Sequence, residues 1–128
     1  IAAFAAAINA YPRSTEHFSV LKEHLLSRLT ELEGVTVNSR SSVPAIVNFS
    51  LAGIRSEIML HFLEESGIYI SSGSACSKGK VSPVLAALGV SDKNADSALR
   101  VSFCRDNTTE EIDLLVEQLK SGIARFRR

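Results

Sequence analysis

The chain has 128 residues, enough for one domain with a substantial core, and its 14 Lys and Arg balance its 14 Asp and Glu. Because the net charge is zero, no overall field draws the protein to nucleic acid or to an anionic membrane surface. No apolar run reaches the roughly 18 residues of a membrane span, and the start IAAFAAAINA lacks the basic leader of a signal peptide. We therefore expect a cytoplasmic protein. The Ala-rich helical start without an initiator methionine predicts a piece of a longer polypeptide.

The first half of the chain predicts two helices and two strands. Residues 1–10 are helical by propensity, and a second helix is expected over about 15–32, with Gly34 ending it. Its apolar side chains recur at helical spacing and predict one buried stripe: Phe18, Leu21, Leu25, Leu29 and Leu32. The segments VTVN at 35–38 and AIVNFSL at 45–51 predict two short strands.

A third helix is predicted by RSEIMLHFLEESG, with Ser56 as a candidate cap and Gly67 at its C-terminal stop. Its apolar side chains that we expect to point inward are Ile58, Leu60, Phe62 and Leu63. The segment IYIS at 68–71 then predicts a strand.

The last third predicts a short helix, a strand and a long helix. SPVLAALG has Ser82 at the cap and Pro83 at the first helical position, and ALRVSF at 98–103 predicts the strand. The final helix opens with a capping-box pattern from Thr108 to Glu111. Without a strict βαβ repeat, this order predicts an α+β fold in which helices cover a small sheet.

The segment SSGSACSKGK at 71–80 places Cys76 among small polar residues, with Lys78 and Lys80 behind it. A cysteine reacts as the thiolate, which exposure and neighbouring cations favour. Two interpretations follow from the composition: a reactive thiol, or a surface loop whose cysteine is incidental.

Arg100 places a permanent cation in the predicted strand ALRVSF. The fork of a guanidinium suits a carboxylate held by two parallel hydrogen bonds. The alternatives are an ordinary salt bridge to Asp96, Asp106 or a glutamate, or an outward position at a strand edge. From this residue alone, the alternatives outweigh ligand binding.

Four motifs together resemble the C-terminal segment of class V pyridoxal-phosphate enzymes of the cysteine desulfurase type. These motifs are SSGSACS, the helix ending in ALG, LRVSF and NTTEEID, in this order and at this spacing, and VPAIVNFSLAG fits the same family. The resemblance implies that residues 1–128 form the small C-terminal domain of such an enzyme, with a small, mostly antiparallel sheet covered by helices. The large cofactor-binding domain is absent from this chain.

The resemblance also implies roles for two residues. Cys76 would attack the sulfur of a substrate L-cysteine held as a pyridoxal-phosphate adduct, and would become a persulfide while L-alanine is released. Arg100 would hold the substrate carboxylate. The parent enzyme would be a homodimer that passes sulfur to protein acceptors such as an iron–sulfur scaffold, for iron–sulfur cluster assembly or tRNA thiolation, without direct contact to nucleic acid or membrane.

The cofactor ligands of the family cannot be placed in this chain. Relatives carry, in a larger N-terminal domain, a lysine for the internal aldimine, a histidine over the cofactor ring and an aspartate on its pyridine nitrogen. The candidate lysines lie in predicted loops, namely Lys78, Lys80 and Lys93, and the histidines lie on predicted helices, namely His17, His24 and His61. We therefore expect weak or no pyridoxal-phosphate binding and no turnover by the isolated chain. No metal site is expected either, because the two cysteines, Cys76 and Cys104, lack the ligand spacing of a zinc site.

Cys104, at the end of the predicted strand, is expected to pack rather than to act as a redox partner of Cys76. Arg105 and Asn107 are candidates for the site entrance, Asn107 being favoured as a turn residue, and Asn48 is left unassigned. Two alternatives to a desulfurase stay open. One is a selenocysteine lyase or another class V lyase or aminotransferase, and the other is a non-enzymatic domain that carries persulfide or docks to a partner.

Overall fold

The structure is a computed structural model that describes four ranges of the chain: 1–11, 14–39, 43–72 and 82–127. Within these ranges there are six helices and four strands. In chain order they are α1 Ala2–Ala10, α2 Glu16–Leu29, β1 Val35–Val37, β2 Ile46–Leu51, α3 Ser56–Glu64, β3 Ser71–Ser72, α4 Pro83–Ala87, α5 Asp92–Asp96, β4 Ala98–Ser102 and α6 Thr109–Phe126. None of the described helices is both long and apolar enough to cross a lipid bilayer.

The strands form one sheet in the order β1-β2-β4-β3, and every neighbouring pair is antiparallel. The two central strands pair with Val47 opposite Val101 and Asn48 opposite Arg100. Strand β3 adds only a short edge, with Ser71 opposite Arg100. The expected α+β fold with a small antiparallel sheet is confirmed.

One face of the sheet packs against helices α2, α3 and α6. Alternate residues of the two central strands enter this core, because side chains alternate between the faces of a strand: Val47, Phe49, Leu51, Leu99 and Val101. The predicted stripe of α2 is confirmed, since all five of its members are buried. Each fully buried leucine contributes about 1.5–3 kcal/mol, so this face supplies most of the stability.

Helix α6 begins with the predicted capping box. The Thr108 Oγ1 accepts a hydrogen bond from the backbone N–H of Glu111 at 3.4 Å, and a carboxylate oxygen of Glu111 accepts one from the N–H of Thr108 at 3.2 Å. These two bonds satisfy donors that a helix start otherwise leaves unpaired. Further along, Gly122 is buried against the side chain of Met59 in α3.

The inward face of α3 differs from the prediction. Ile58 is 44% exposed, whereas Met59 is fully buried, so the expectation for Ile58 is wrong. The buried residues of this helix are Ser56, Met59 and Leu63, spaced by three and four, which places Ile58 about 100° from the stripe. The expected cap is also wrong, because Ser56 is the first helical residue and Arg55 occupies the cap position without a side-chain hydrogen bond.

Two further differences concern short elements. The strand predicted at 68–71 is only Ser71–Ser72, because Ile68 and Ile70 pack against the core without pairing to β4. Helix α5 was not predicted from the sequence; it is a single polar turn capped by Ser91, whose hydroxyl accepts from the N–H of Asn94. Helix α2 ends at Leu29, before the predicted boundary.

Candidate functional site

Polar side chains occupy the sheet face opposite the core. Asn48 and Ser50 of β2 are 8% and 1% exposed, and Arg100 of β4 lies directly opposite Asn48. Ser71 of β3 is the partner of Arg100 on its other side. Directly opposite residues of an antiparallel pair share a face, so Asn48, Arg100 and Ser71 form a polar row across three strands.

Arg100 lacks an ion-pair partner among the residues that the structure describes. All 14 Asp and Glu of the chain fall within these residues, yet none pairs with Arg100. Asp96 instead lies 3.5 Å from Arg55, and Asp106 lies 3.5 Å from Arg105. The salt-bridge alternative for Arg100 is therefore wrong, and so is the strand-edge alternative, because β4 is a central strand.

The guanidinium of Arg100 also leaves a donor unused. Its Nε is buried and has no hydrogen-bond partner within the described part of the chain. A buried donor without a partner is unfavourable by about 1–3 kcal/mol. The half-buried Arg100 is thus available to an external anion.

Hydrogen bonds fix the polar groups next to Arg100. The Ser50 hydroxyl donates to the backbone carbonyl of Asn94 at 2.7 Å. The side-chain Nδ2 of Asn38 donates to Ser50 Oγ at 2.7 Å and to Asn48 Oδ1 at 2.8 Å. The backbone N–H of Asn48 donates to Ser39 Oγ. This part of the row is therefore ordered without a ligand.

The predicted nucleophile Cys76 lies outside the described residues, as do Lys78 and Lys80. The structure therefore tests neither its role nor its distance from Arg100. It does show where the segment with Cys76 starts: Ser71, five residues earlier, is paired with Arg100.

Cys104 is exposed, so the expectation that it packs in the interior is wrong. The reason is that β4 ends at Ser102 and the chain then leaves the sheet. Asn107 shapes this turn as expected, because its Oδ1 accepts from the N–H of Cys104 at 2.7 Å and its Nδ2 donates to Glu111 at 2.9 Å. Arg105 is exposed and pairs with its neighbour, so nothing assigns it to the polar row.

The described lysines do not form a pyridoxal-phosphate site. Lys93 and Lys120 are exposed on helices, and Lys22 donates to the backbone carbonyl of Val43 at 2.9 Å. Among the described residues, no group of three His, Cys, Asp or Glu side chains is arranged to hold a metal ion. The described residues therefore fit a carboxylate-binding site better than a pyridoxal-phosphate site.

The histidines serve helix contacts. His24 Nε2 of α2 lies 2.8 Å from the carboxylate of Asp113 in α6, and Arg28 Nε donates to the same oxygen at 3.0 Å. The hydrogen bond from His24, followed by the positive charges, holds the pKa of Asp113 below its ordinary value. His61 lies 3.2 Å from Glu64 on one exposed helix face. The contacts of His24 and Arg28 with Asp113 join α2 to α6, whereas the His61–Glu64 pair lies within α3.

Comparison with known proteins matches the chain to one family. The sequence profile of the aminotransferase class-V family matches residues 2–115. The chain belongs to the class-V aminotransferase family. Curated relatives of this class-V chain include cysteine desulfurase IscS of Vibrio atlanticus, 38% identical over 129 residues, which cover 98% of this chain and 31% of that protein. IscS of Pseudoalteromonas translucida is 38% identical over 130 residues, which cover 98% of this chain and 32% of that protein. The resemblance to cysteine desulfurases is confirmed.

Solved structures give the same fold. A NifS-like protein matches 86% of the class-V chain with a TM-score of 0.74 and 28% identity. The cysteine desulfurase CsdA of Escherichia coli matches 94% with a TM-score of 0.74, and at 22% identity it supports the fold alone. The chain spans about a third of its curated relatives, 31% in the case of Vibrio atlanticus.

Four residues of the network around Arg100 were not assigned from the sequence, three through their side chains and one through its backbone carbonyl. Asn48 and Ser50 are two residues apart in AIVNFSL, so the sequence indicates that they share one face of the strand. It does not indicate which face of the strand packs against the core. Asn38 follows β1 and enters the row through its side chain. The carbonyl of Asn94 had no signal, because it belongs to the unpredicted α5.

Proposed function

We propose that this class-V chain is the C-terminal small-domain part of a cysteine desulfurase. In this proposal Arg100 binds the carboxylate of L-cysteine, and Cys76 accepts its sulfur. The observation that carries the proposal is the unpaired guanidinium of Arg100, whose buried Nε has no partner in the described residues although every Asp and Glu of the chain is in view. The IscS relatives supply the reaction class.

Arg100 orients the substrate. A carboxylate that approaches the polar face can accept two parallel, charge-assisted hydrogen bonds from the guanidinium fork. Both bonds can come from the terminal nitrogens of the guanidinium, which are not among its sealed, unpartnered atoms. The substrate is then fixed at its carboxylate end, with its thiol free to meet a nucleophile.

Cys76 takes the sulfur as its thiolate. Its sulfur forms an S–S bond with the substrate sulfur while the C–S bond of the substrate breaks. The electron pair of that bond stays with the carbon, which takes a proton and leaves as L-alanine, and Cys76 keeps a persulfide. Cys76 follows Ser71, the strand partner of Arg100, by five residues in the sequence.

The remaining parts of the activity lie beyond the described residues. Pyridoxal phosphate, bound by another part of the parent enzyme, would supply the electron sink for the carbon that loses sulfur. The parent would be a cytoplasmic homodimer, and its persulfide would pass to protein acceptors such as an iron–sulfur scaffold. The 128-residue chain by itself would be inactive.

The test uses the full enzyme that contains this chain, with L-cysteine as substrate. Arg100→Ala is expected to raise KM for cysteine by about tenfold to a hundredfold, since a charge-assisted contact is lost, whereas the matched control Arg105→Ala leaves KM unchanged. Cys76→Ala is expected to abolish sulfur release, and Cys104→Ala to retain it. Normal sulfur release in Cys76→Ala, or equal KM values for the two arginine variants, would refute the corresponding role.

A further inference from the structure

The hydrogen bonds on the polar face have only one consistent direction. The carbonyl of Asn94 can only accept, so the Ser50 hydroxyl gives it its single proton, at 2.7 Å. Ser50 Oγ can then only accept from Asn38, which must present its Nδ2 there, also at 2.7 Å. The second Nδ2 proton goes to Asn48 at 2.8 Å. Asn48 must therefore turn its oxygen, and not its nitrogen, toward Asn38.

This arrangement points the Nδ2 of Asn48 toward Arg100. Asn38 follows β1, and β1 flanks β2 on the side away from β4. With Oδ1 held on that side, Nδ2 faces β4, where Arg100 is the directly opposite residue.

The same Nδ2 is open to a ligand. Across the described residues, it donates to no protein group. Among the described residues, only Arg100 and Arg127 have side-chain nitrogens that are sealed, meaning inaccessible to solvent, and also lack a hydrogen-bond partner. Hence the unpaired Nδ2 of Asn48 is not sealed, and it faces the space above the polar row.

We infer that Asn48 is a second donor to the carboxylate that Arg100 binds, and that Ser50 and Asn38 are positioning residues that hold its amide in the donating orientation. The inference rests on the proposed function and completes its carboxylate site. A carboxylate has about four acceptor positions, so it can take the guanidinium fork and an amide N–H together. Because the carbonyl of Asn94 fixes the amide before binding, little ordering is left for the ligand to impose.

The test is an NMR titration of the ¹⁵N-labelled 128-residue chain with sodium acetate, against sodium chloride at equal ionic strength. The Nε–H of Arg100 and the Nδ2 protons of Asn48 are expected to shift on one saturation curve in acetate and not in chloride. A shift of Arg100 alone overturns the role of Asn48 and leaves the proposed carboxylate site standing. A shift of neither overturns both.

Variants separate donation from general charge effects. Asn48→Asp keeps an oxygen that can accept from Asn38 but replaces the amide donor with an anion. We therefore expect the affinity for acetate to fall by about tenfold or more. Asn94→Asp is the matched control: it adds the same charge nearby, and Asn94 joins the network only through its backbone, so we expect a change below about twofold. Equal losses in both variants overturn the inference.

Ser50→Ala tests the positioning role. It removes the acceptor that fixes Asn38, so Asn48 is free to turn, and we expect its acetate-induced shift to fall about threefold while that of Arg100 persists. A dispersed amide spectrum confirms that the variant is folded. An unchanged Asn48 response in a folded variant removes Ser50 from the positioning role.

Discussion

Replacing Arg100 with methionine should make the 128-residue chain more stable. Methionine is also long and flexible and can lie along the same surface, but it has no N–H group. In the described structure the buried Nε of Arg100 has no hydrogen-bond partner, and the guanidinium has no carboxylate partner. Arg100→Met thus removes an unfavourable group without breaking an interaction.

The size of the effect follows from the missing hydrogen bond. A buried, unsatisfied donor is unfavourable by about 1–3 kcal/mol, and the lower end applies because Arg100 is only half-buried. We therefore expect the free energy of unfolding to rise by about 1 kcal/mol. With a denaturant slope of about 2 kcal/mol/M in urea, the unfolding midpoint should rise by about 0.5 M.

Urea unfolding followed by far-ultraviolet circular dichroism measures this midpoint. Arg55→Met is the matched control, because Arg55 is exposed and pairs with Glu57 at 3.3 Å and Asp96 at 3.5 Å. The control should lower the free energy of unfolding slightly, by less than about 1 kcal/mol. If Arg100→Met lowers the midpoint as much as the control does, Arg100 has a structural partner, and the reasoning from an unpaired guanidinium fails.

Three further predictions concern packing, charge and exposure. A Cβ on Gly122 would lie 2.7 Å from Met59 Sδ, so Gly122→Ala should destabilise the chain by about 1 kcal/mol but stabilise it in a Met59→Ala background; urea unfolding without this change of sign would disprove the contact. The hydrogen bond from His24 lowers the pKa of Asp113, so its stabilisation is complete above the ordinary value of 3.8 and is lost as pH falls through the lowered pKa. Asp113→Asn should flatten the fall of the urea midpoint below about pH 4, and an identical acid profile in both proteins would count against the pair. Exposed Cys104 should react with iodoacetamide in the native chain within about tenfold of its unfolded rate, and protection beyond about a hundredfold would contradict its exposure.

The sequence predicted the elements whose signal is local. The stripe of α2 and the capping box of α6 depend on spacing and on caps within one helix, and both are confirmed. The errors concern decisions made by tertiary contacts. Ile58 and Met59 are adjacent and equally apolar, and only packing of α3 against α6 selects Met59 for the interior. The polar turn α5 has no apolar period to reveal it.

The candidate site was predicted in part. Arg100 was identified because a cation in a strand is unusual, and the structure removes the salt bridges that competed with ligand binding. Its neighbours Asn48 and Ser71 come from two other strands, and such pairing depends on register, which a single sequence does not specify. The role of Cys76 stays a prediction.

The hydrogen bonds of Asn38, Asn48 and Ser50 order the polar row before any ligand binds. Strand β2 buries the polar residues Asn48 and Ser50, and buried polar groups are tolerated only when they are hydrogen-bonded. At one end of this network the carbonyl of Asn94 accepts a hydrogen bond from Ser50. At the other end the buried Nε of Arg100 has no hydrogen-bond partner among the described residues. Under the proposed function, an incoming carboxylate would meet donors that are already oriented, and its binding would not require the sheet to rearrange. Since Ser71 is paired with Arg100, the bound carboxylate would lie at a fixed place relative to the start of the segment that carries Cys76.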